Sequence, residues 1–156
     1  MTTLEQTVQR LADVEAIRTL KLRYAEACDT GFDPDRLNAL FTDDGVFDVG
    51  EHGAFRGPRE LGEHWVAVSR LHAWAVHLVT NHVVEVEPGA EEASGTCLTL
   101  GLNTTTGGVA QWSALRYRER YRKVDGEWRF AEMKVAVEML TDVDKSWATA
   151  ATAGGS

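Results

Sequence analysis

The stretch VAQWSALRYRERYRKVDGEWRFAEMKVAVEML, from Val109 to Leu140, decides the fold. Apolar or aromatic residues alternate with charged ones through most of it, which is the period of a half-buried β-strand. The pair Asp125-Gly126 interrupts the alternation, and Asp-Gly between two such runs is a strong hairpin signal. We therefore predict two antiparallel strands, Val109 to Val124 and Glu127 to Leu140.

Two further runs of this kind precede the hairpin, at Ala73 to Glu87 and Ala93 to Thr105. The link Thr106-Gly107-Gly108 is a second short hairpin signal, because glycine adopts the backbone angles that tight turns require. The second half of the chain is thus predicted to be a series of long antiparallel strands.

The N-terminal part has helical periodicity instead. From Leu4 to about Asp29, apolar residues recur at three- and four-residue spacing, while charged residues, Lys21 among them, fill much of the rest. Gly31 supplies the stop of this long amphipathic helix. The elements predicted after it are a short helix from Pro34 through Leu40, a turn at Asp43-Asp44-Gly45, a short strand from Val46 to Val49, and a third helix from Pro58 to Ser69.

Helices followed by long antiparallel strands are the pattern of an α+β domain in which a curved sheet wraps around the helices. At 156 residues and 44% hydrophobic content, the chain fits one compact domain. We assign residues 1–141 to this domain. Residues 142–156 are poor in large apolar side chains, so we expect a frayed tail there.

The net charge is −8, from 24 acidic and 16 basic residues. An acidic surface repels nucleic-acid phosphates and anionic lipids, so neither is an expected partner. No apolar run approaches the roughly 18 residues of a membrane span, and no secretory leader is recognisable, so a cytoplasmic protein is expected. Cys28 and Cys97 lie among small or apolar neighbours and are predicted to be reduced core residues.

Asp29 and His77 are two residues that folding alone does not explain. A helix C-terminus carries partial negative charge and disfavours a carboxylate, and an imidazole between Val76 and Leu78 loses hydration unless it has a partner. Each also has a structural explanation, as a backbone-bonded aspartate or a hydrogen-bonded core histidine. If they meet, the carboxylate orients the ring and stabilises its protonated state.

Strand alternation places His77 on one face with Ala75, Val79 and Asn81, and it places His72 and His82 on the other. The three histidines therefore are not expected to converge on one ion, and we predict no metal site. The chain also lacks a P-loop, a G-x-G-x-x-G and a G-x-S-x-G motif, and no cofactor is expected.

Tyr24 lies five residues before Asp29 near the end of the first helix. A buried phenol stays neutral at pH 7 and can donate a hydrogen bond to a carbonyl or hydroxyl group. The same residue is equally well explained as a core aromatic. Its role therefore depends on whether the helix end points into a cavity.

Several segments together resemble the SnoaL-like branch of the nuclear-transport-factor-2-like superfamily, over about residues 4–140. They are Glu15-Ala-Ile17 through Asp29, Phe41-Thr-Asp-Asp-Gly-Val-Phe47, Phe55-Arg-Gly-Pro58, Val76-His77-x-x-x-Asn81 and Tyr121-x-x-x-Asp125-Gly126-x-Trp128-x-Phe130. The resemblance implies an α+β cone, in which three N-terminal helices pack in a strongly curved, mixed but mainly antiparallel sheet that encloses an apolar pocket.

Members of this branch include scytalone dehydratase, bile-acid dehydratase and hexachlorocyclohexane dehydrochlorinase. Their Asp–His dyad would fall on Asp29 and His77, and the additional tyrosine of the bile-acid enzyme on Tyr24. An arginine of the last strand would fall at or near Met133, so this chain lacks an evident anion clamp. The expected substrate is therefore neutral and hydrophobic. The substrate-binding residues implied are Asn81, Tyr117, Met133, Val135, Val137 and Trp65.

The resemblance implies a cofactor-independent lyase, most similar to a dehydratase of a cyclic or polyketide-like hydroxy-carbonyl compound. His77 would remove a proton alpha to a carbonyl, with Asp29 and Tyr24 assisting. A polyketide cyclase or a ketosteroid-type isomerase begins with the same step, and a non-catalytic small-molecule-binding module is a further alternative. A homodimer or homotrimer through the outer sheet face, which carries Trp74 and Trp112, is also expected.

Overall fold

The computed structural model describes residues 3–149, which contain three α-helices and one sheet of six strands. The elements are α1 (Leu4–Asp29), α2 (Pro34–Asn38), β1 (Phe41–Asp48), β2 (Ala54–Arg56), α3 (Gly57–Ser69), β3 (His72–Glu85), β4 (Glu92–Thr105), β5 (Ala110–Val124) and β6 (Glu127–Asp142), with short 3₁₀ helices at Gly50–His52 and Trp147–Thr149. The last strand extends to the first residue of the expected tail, and residues 150–156 of that tail lie outside the described residues.

The strands follow the order β2-β1-β6-β5-β4-β3 across the sheet. Strands β3 to β6 form an antiparallel series, as the two hairpin signals predicted. Strand β1 joins this series by pairing parallel to β6, and β2 adds an antiparallel edge. The predicted α+β class, with three helices and a mixed, mainly antiparallel sheet, is therefore confirmed.

Strand β1 begins earlier than the sequence indicated. It starts at Phe41, which pairs with Phe130, while Val46 pairs with Glu132. The residues between Phe41 and Val46 exceed those available on the partner strand, so they bulge out of the ladder. The prediction of a turn at residues 43–45 was wrong, because those residues form this bulge inside β1. Helix α2 also ends at Asn38, before the predicted Leu40.

Helix α1 lies against the sheet with an unusually polar buried face. Its buried residues begin at Asp13, and the apolar Leu4, Val8 and Leu11 before it are exposed. Lys21, which the periodicity placed among the polar residues, is instead fully buried. Helical periodicity identifies the buried face of a helix only when apolar residues alone are buried. In α1, tertiary contacts bury charged residues as well.

Aromatic rings fill much of the space between the helices and the sheet. Trp65 of α3 packs 4.8 Å from the ring of Phe47 and 6.2 Å from that of Tyr24. Phe130 of β6 lies 5.3 Å from the ring of Phe41. Such ring pairs add to the stability from area burial, and they fix the position of α1 and α3 against β1 and β6.

Asp13 joins the first part of α1 to the β5–β6 hairpin. Its Oδ1 accepts a hydrogen bond of 2.8 Å from Trp128 Nε1 and lies 3.0 Å from Lys123 Nζ. Burial raises the pKa of Asp13, but the hydrogen bonds from Trp128, Lys123 and Gln9 outweigh burial and leave the pKa below its usual value. The ionised carboxylate is therefore part of the folded structure.

We predict that Asp13→Ala lowers the free energy of unfolding by about 3 kcal/mol, because it leaves a partly buried lysine and a buried indole N–H without their partner. Urea denaturation followed by Trp fluorescence measures this change. The matched control is Glu63→Ala, which removes an exposed pair with Arg59 on α3 and changes stability by no more than about 0.5 kcal/mol. If Asp13→Ala and Glu63→Ala lowered the free energy of unfolding equally, the stabilising role of the Asp13 contacts would be contradicted.

Candidate active site

Asp29 and His77 meet at the end of α1. The Nδ1 atom of His77 lies 2.7 Å from Asp29 Oδ1, although the residues are 48 positions apart in the chain. Their side chains are 14% exposed for His77 and 25% for Asp29, so the pair is shielded but open to solvent. Such a pair can be reached by a small molecule from outside.

The contact defines which nitrogen of His77 can act as a base. A carboxylate accepts hydrogen bonds only, so Nδ1 carries the proton and Nε2 keeps its lone pair. The helix C-terminus carries partial negative charge, so it also stabilises a positive charge that forms on the ring. The last turn of α1 contains no basic residue that would offset this effect. The arrangement can therefore accept a proton at Nε2.

Phe32 forms one wall beside this pair. Its φ of 56° places a bulky residue in the left-handed region, which is uncommon and costs free energy. Its ring lies 6.2 Å from that of His77, edge to face, and 5.4 Å from that of His72. The strained loop after α1 thus packs an aromatic ring against the imidazole.

Strand β3 keeps the predicted alternation only from Trp74 through Thr80, because the register shifts both before and after this stretch. Ala75 is buried and Leu78 is exposed, as expected of opposite faces. The register then shifts between Thr80 and Val83, and Asn81 takes a φ of 52°. Because of this bulge, Asn81 is exposed and does not share the face of His77, so the prediction of its orientation was wrong.

The same bulge turns His82 inward, where its Nε2 donates to the hydroxyl of Tyr121 at 3.2 Å. His72 also faces inward, against Phe32. The expectation that both lie on the face opposite to His77 was therefore wrong. Within residues 3–149, however, no group of three or more His, Cys, Asp or Glu side chains has the arrangement of a metal site.

Gly101 and Ser113 lie next to His77 in the same row of the sheet. His77 pairs with Gly101, and Gly101 pairs with Ser113. A Cβ at Gly101 would collide with Ser113 Oγ, so the serine side chain occupies the space above the glycine, on the side of His77. This hydroxyl was not predicted from the sequence, because only the strand register reveals it.

The remaining predicted residues lie deeper in the domain. Tyr24 packs edge to face against Trp65 and Tyr117, with ring centroids 6.2 and 6.4 Å away. Trp65 is buried, and its Nε1 has no hydrogen-bond partner among the described residues. Met133 and Val135 are buried beside Glu119 and Tyr117 of β5, and Val137 lies beside Leu115.

A buried polar cluster links α1 to β5 near these residues. Lys21 Nζ lies 2.6 Å from Glu119 Oε1, and Tyr121 donates its hydroxyl to the other carboxylate oxygen. His82 Nε2 lies 3.8 Å from that oxygen. The cluster was not predicted from the sequence, although alternation along β5 places Glu119 on the same face as Tyr117 and Tyr121.

The model of the SnoaL-like domain matches residues 9–134 of this chain. The chain belongs to this family. The predicted membership in the SnoaL-like branch is thus confirmed. No curated protein sequence matches the chain significantly. Within residues 3–149, no helix has the length and apolar character that a bilayer span requires.

Three solved structures illustrate the SnoaL-like fold. A hexachlorocyclohexane dehydrochlorinase from Novosphingobium barchaimii LL02 is 24% identical, with a TM-score of 0.79 over 90% of this chain and 96% of that one. A protein provisionally named scytalone dehydratase, from Novosphingobium aromaticivorans DSM 12444, is 20% identical, with a TM-score of 0.81 over 96% and 99%. A protein from N. aromaticivorans provisionally named aromatic ring hydroxylase is 27% identical, with a TM-score of 0.77 over 85% and 94%.

Burial determines the protonation of the interior of this SnoaL-like domain. It raises the pKa of Tyr24 and of Tyr117 well above the usual phenol value, so both remain hydrogen-bond donors at neutral pH. It also raises the pKa of Cys28 to about 12 and that of Cys97 to about 11. Both cysteines are free and buried, and they are neutral thiols at pH 7.

We predict that His82 makes stability depend on pH. Burial lowers the pKa of His82, and Lys21 and Arg18 act in the same direction, while Glu119 opposes them. The unfolded chain therefore binds the proton more readily, so the free energy of unfolding decreases as the pH falls through the ordinary histidine range.

His82→Gln is expected to reduce this dependence, because the amide can still donate to Tyr121 but does not titrate. Urea unfolding midpoints between about pH 7.5 and pH 5 give the slopes for the two proteins. An identical slope in the variant would show that His82 is not the group responsible.

Proposed function

We propose that this protein is a cofactor-independent lyase of the dehydratase type, acting on a small, apolar, cyclic or polyketide-like hydroxy-carbonyl compound. The observation that carries the proposal is the 2.7 Å contact between Asp29 Oδ1 and His77 Nδ1, which leaves Nε2 free in a partly exposed position. His77 is the general base, and Asp29 orients the ring and stabilises its charged form.

The reaction proceeds by enol formation. Nε2 of His77 takes the proton from the carbon alpha to the carbonyl, and the electron pair of that C–H bond passes to the carbonyl oxygen. When this electron pair returns from the oxygen, a carbon–carbon double bond forms, and the bond between the beta carbon and its hydroxyl oxygen breaks. The departing hydroxide takes up the proton that His77 removed and leaves as water, which restores the neutral imidazole. Tyr24 polarises the carbonyl or assists the departing hydroxyl, as a neutral phenol can.

The buried side chains of the domain interior favour a neutral substrate. Met133 and Val135 present an apolar surface on β6, at the position where an anion clamp would otherwise be expected. Ser113 Oγ is the hydrogen-bonding group proposed to orient a carbonyl or hydroxyl oxygen, together with Trp65 Nε1, which has no hydrogen-bond partner within residues 3–149. An apolar wall with a few polar groups is typical of small-molecule sites.

The names of similar structures support an elimination to a limited extent. A dehydrochlorinase and a provisional scytalone dehydratase both carry names of elimination enzymes, whereas the third relative is provisionally named a hydroxylase. A polyketide cyclase or ketosteroid-type isomerase starts with the same proton abstraction and is the alternative. A non-catalytic binding module would have no need of a free base opposite a carboxylate.

We predict that the protein exchanges the alpha protons of 2-tetralone and of cyclic β-hydroxyketones in deuterated water, which ¹H NMR detects. His77→Gln is expected to lower the rate by a factor of about 100 to 10,000, and Asp29→Asn and Tyr24→Phe to lower it as well. Loss of water from the hydroxyketone identifies a lyase, and a shifted double bond or ring closure identifies the alternatives.

His52→Gln is the control, because it changes an exposed histidine on the 3₁₀ helix before β2. It is expected to leave the rate within about twofold. If His77→Gln and Asp29→Asn both retained full turnover, the proposed base would be wrong. A binding module would take up the ketone without exchange, whereas a general base at His77 exchanges its alpha protons.

We also propose that the protein forms a homodimer or homotrimer through the outer face of the sheet. Trp74 and Leu78 on this face of β3 are 52% and 50% exposed. Leu100 lies opposite Leu78 on β4, and Leu102 lies opposite Val76, so the apolar surface continues onto the next strand. Contiguous exposed apolar surface of this kind is typical of protein–protein contacts.

The oligomer proposal predicts that Trp74→Glu/Leu78→Glu shifts the mass measured by light scattering to that of a monomer, with an unchanged far-ultraviolet circular dichroism spectrum. Two carboxylates inside an apolar contact lose hydration without gaining a partner. Leu71→Glu is the matched control, because Leu71 is exposed in the link before β3 and outside the sheet face. A monomeric wild-type protein would rule out the proposed interface.

A further inference from the structure

The Lys21–Glu119 pair is a buried ion pair that the proposed reaction does not use. The side chains of Lys21 and Glu119 are 1% and 0% exposed, and Nζ lies 2.6 Å from Oε1. Removing two charges from water is costly, and apolar residues of similar volume often replace such a pair without loss of stability. Stability alone therefore does not explain why α1 and β5 carry these charges in the core.

The surroundings of the ammonium group point to its role. Lys21 Nζ lies 3.4 Å from the ring centroid of Tyr117 and 4.7 Å from that of Tyr24. A cation this close to the face of an aromatic ring attracts it, and the attraction is greater when both are shielded from water. The ammonium is thus held between a carboxylate on one side and two phenol rings on the other.

We propose that the Lys21–Glu119 ion pair is a positioning element of the candidate active site, in which Glu119 holds the ammonium and the ammonium holds the rings of Tyr24 and Tyr117. The proposal rests on the proposed function, because ordered rings serve the reaction only if the phenol of Tyr24 donates its proton to the substrate. Lys21 and Glu119 themselves are positioning residues and do not touch the substrate.

The placement of the four residues along the chain supports this role. Lys21 and Tyr24 are three residues apart, hence neighbours on one side of α1. Tyr117 and Glu119 are two residues apart and share the inner face of β5. The ion pair therefore ties the turn of helix that carries one phenol to the part of the strand that carries the other.

Glu119 is itself fixed by further contacts. Its second carboxylate oxygen accepts the hydroxyl of Tyr121, and His82 lies on the same side. The carboxylate thus has little freedom to move away from Lys21. Because its carboxylate is fixed in this way, the ion pair can restrict the orientation of the Tyr24 and Tyr117 rings more than apolar packing alone would.

The test replaces both charged residues at once, in Lys21→Met/Glu119→Gln, so that no single charge is left buried. Tyrosine labelled with ¹³C in the ring reports ring order and flipping by NMR, and Tyr→Phe variants assign the three tyrosines. We expect the Tyr24 and Tyr117 rings to flip at least about tenfold faster in the double variant. In the ketone assay we expect kcat to fall about 10- to 100-fold, with KM changed less than about threefold.

The matched control is Lys123→Met/Asp13→Asn. Lys123 and Asp13 form the other lysine–carboxylate pair between α1 and the β5–β6 hairpin, with Nζ 3.0 Å from Oδ1 and 4.8 Å from the Trp128 ring. This control removes a similar ion pair and a similar cation–ring contact. It is expected to reduce stability while leaving the Tyr24 and Tyr117 rings and kcat unchanged.

Unchanged ring dynamics in Lys21→Met/Glu119→Gln would overturn the proposal, and so would mobile rings with an unchanged kcat. If the wild-type protein showed no exchange with any ketone, the proposed function would fail, and the ring measurement alone would decide whether the pair holds the phenols. Should the double variant not fold, Lys21→Met/Glu119→Met provides an apolar replacement for the same NMR measurement.

Discussion

The fixed position of α1 across the concave side of the sheet is the constraint on which the rest of the structure depends. Three polar contacts hold it, through Asp13, Lys21 and Asp29, which are spaced eight residues apart. Each step of eight advances about 12 Å along the helix and about 80° around it. The contacts therefore rotate around α1 as it crosses the curved sheet, and together they fix its position along and about its own axis.

Much of the architecture follows from local sequence signals. The alternation from Val109 to Leu140 and the Asp125-Gly126 turn define β5 and β6, and both appear within two residues of the predicted bounds. The pairing of Asp29 with His77 was implied by the resemblance to the SnoaL-like branch, and an electrostatic reason supported it, since a carboxylate at a helix C-terminus and an imidazole in an apolar strand each need a partner. That reason concerns two residues only, and it does not depend on knowing the whole fold.

The features that escaped prediction depend on tertiary context. Lys21 has the expected helical position of a surface residue, and only the register of β5 places Glu119 within reach of it. The bulge at Asn81 inserts one residue into β3, which exchanges the faces of every residue after it. Alternation along β5 places Glu119 on the inner face, but no local pattern shows that Lys21 meets it there. A bulge changes neither the composition nor the periodicity of its segment, so sequence patterns do not reveal it.

The long-range character of the α1 contacts has a kinetic consequence. The Lys21–Glu119 and Asp13–Trp128 contacts join residues 98 and 115 positions apart, whereas β3 to β6 connect through short links. Closing such long loops carries an entropic cost before any contact forms, and chains dominated by distant contacts fold slowly. A ribosome also releases the partners of α1 long after α1 itself, so a nascent chain carries Asp29 for some time before His77 exists to meet it.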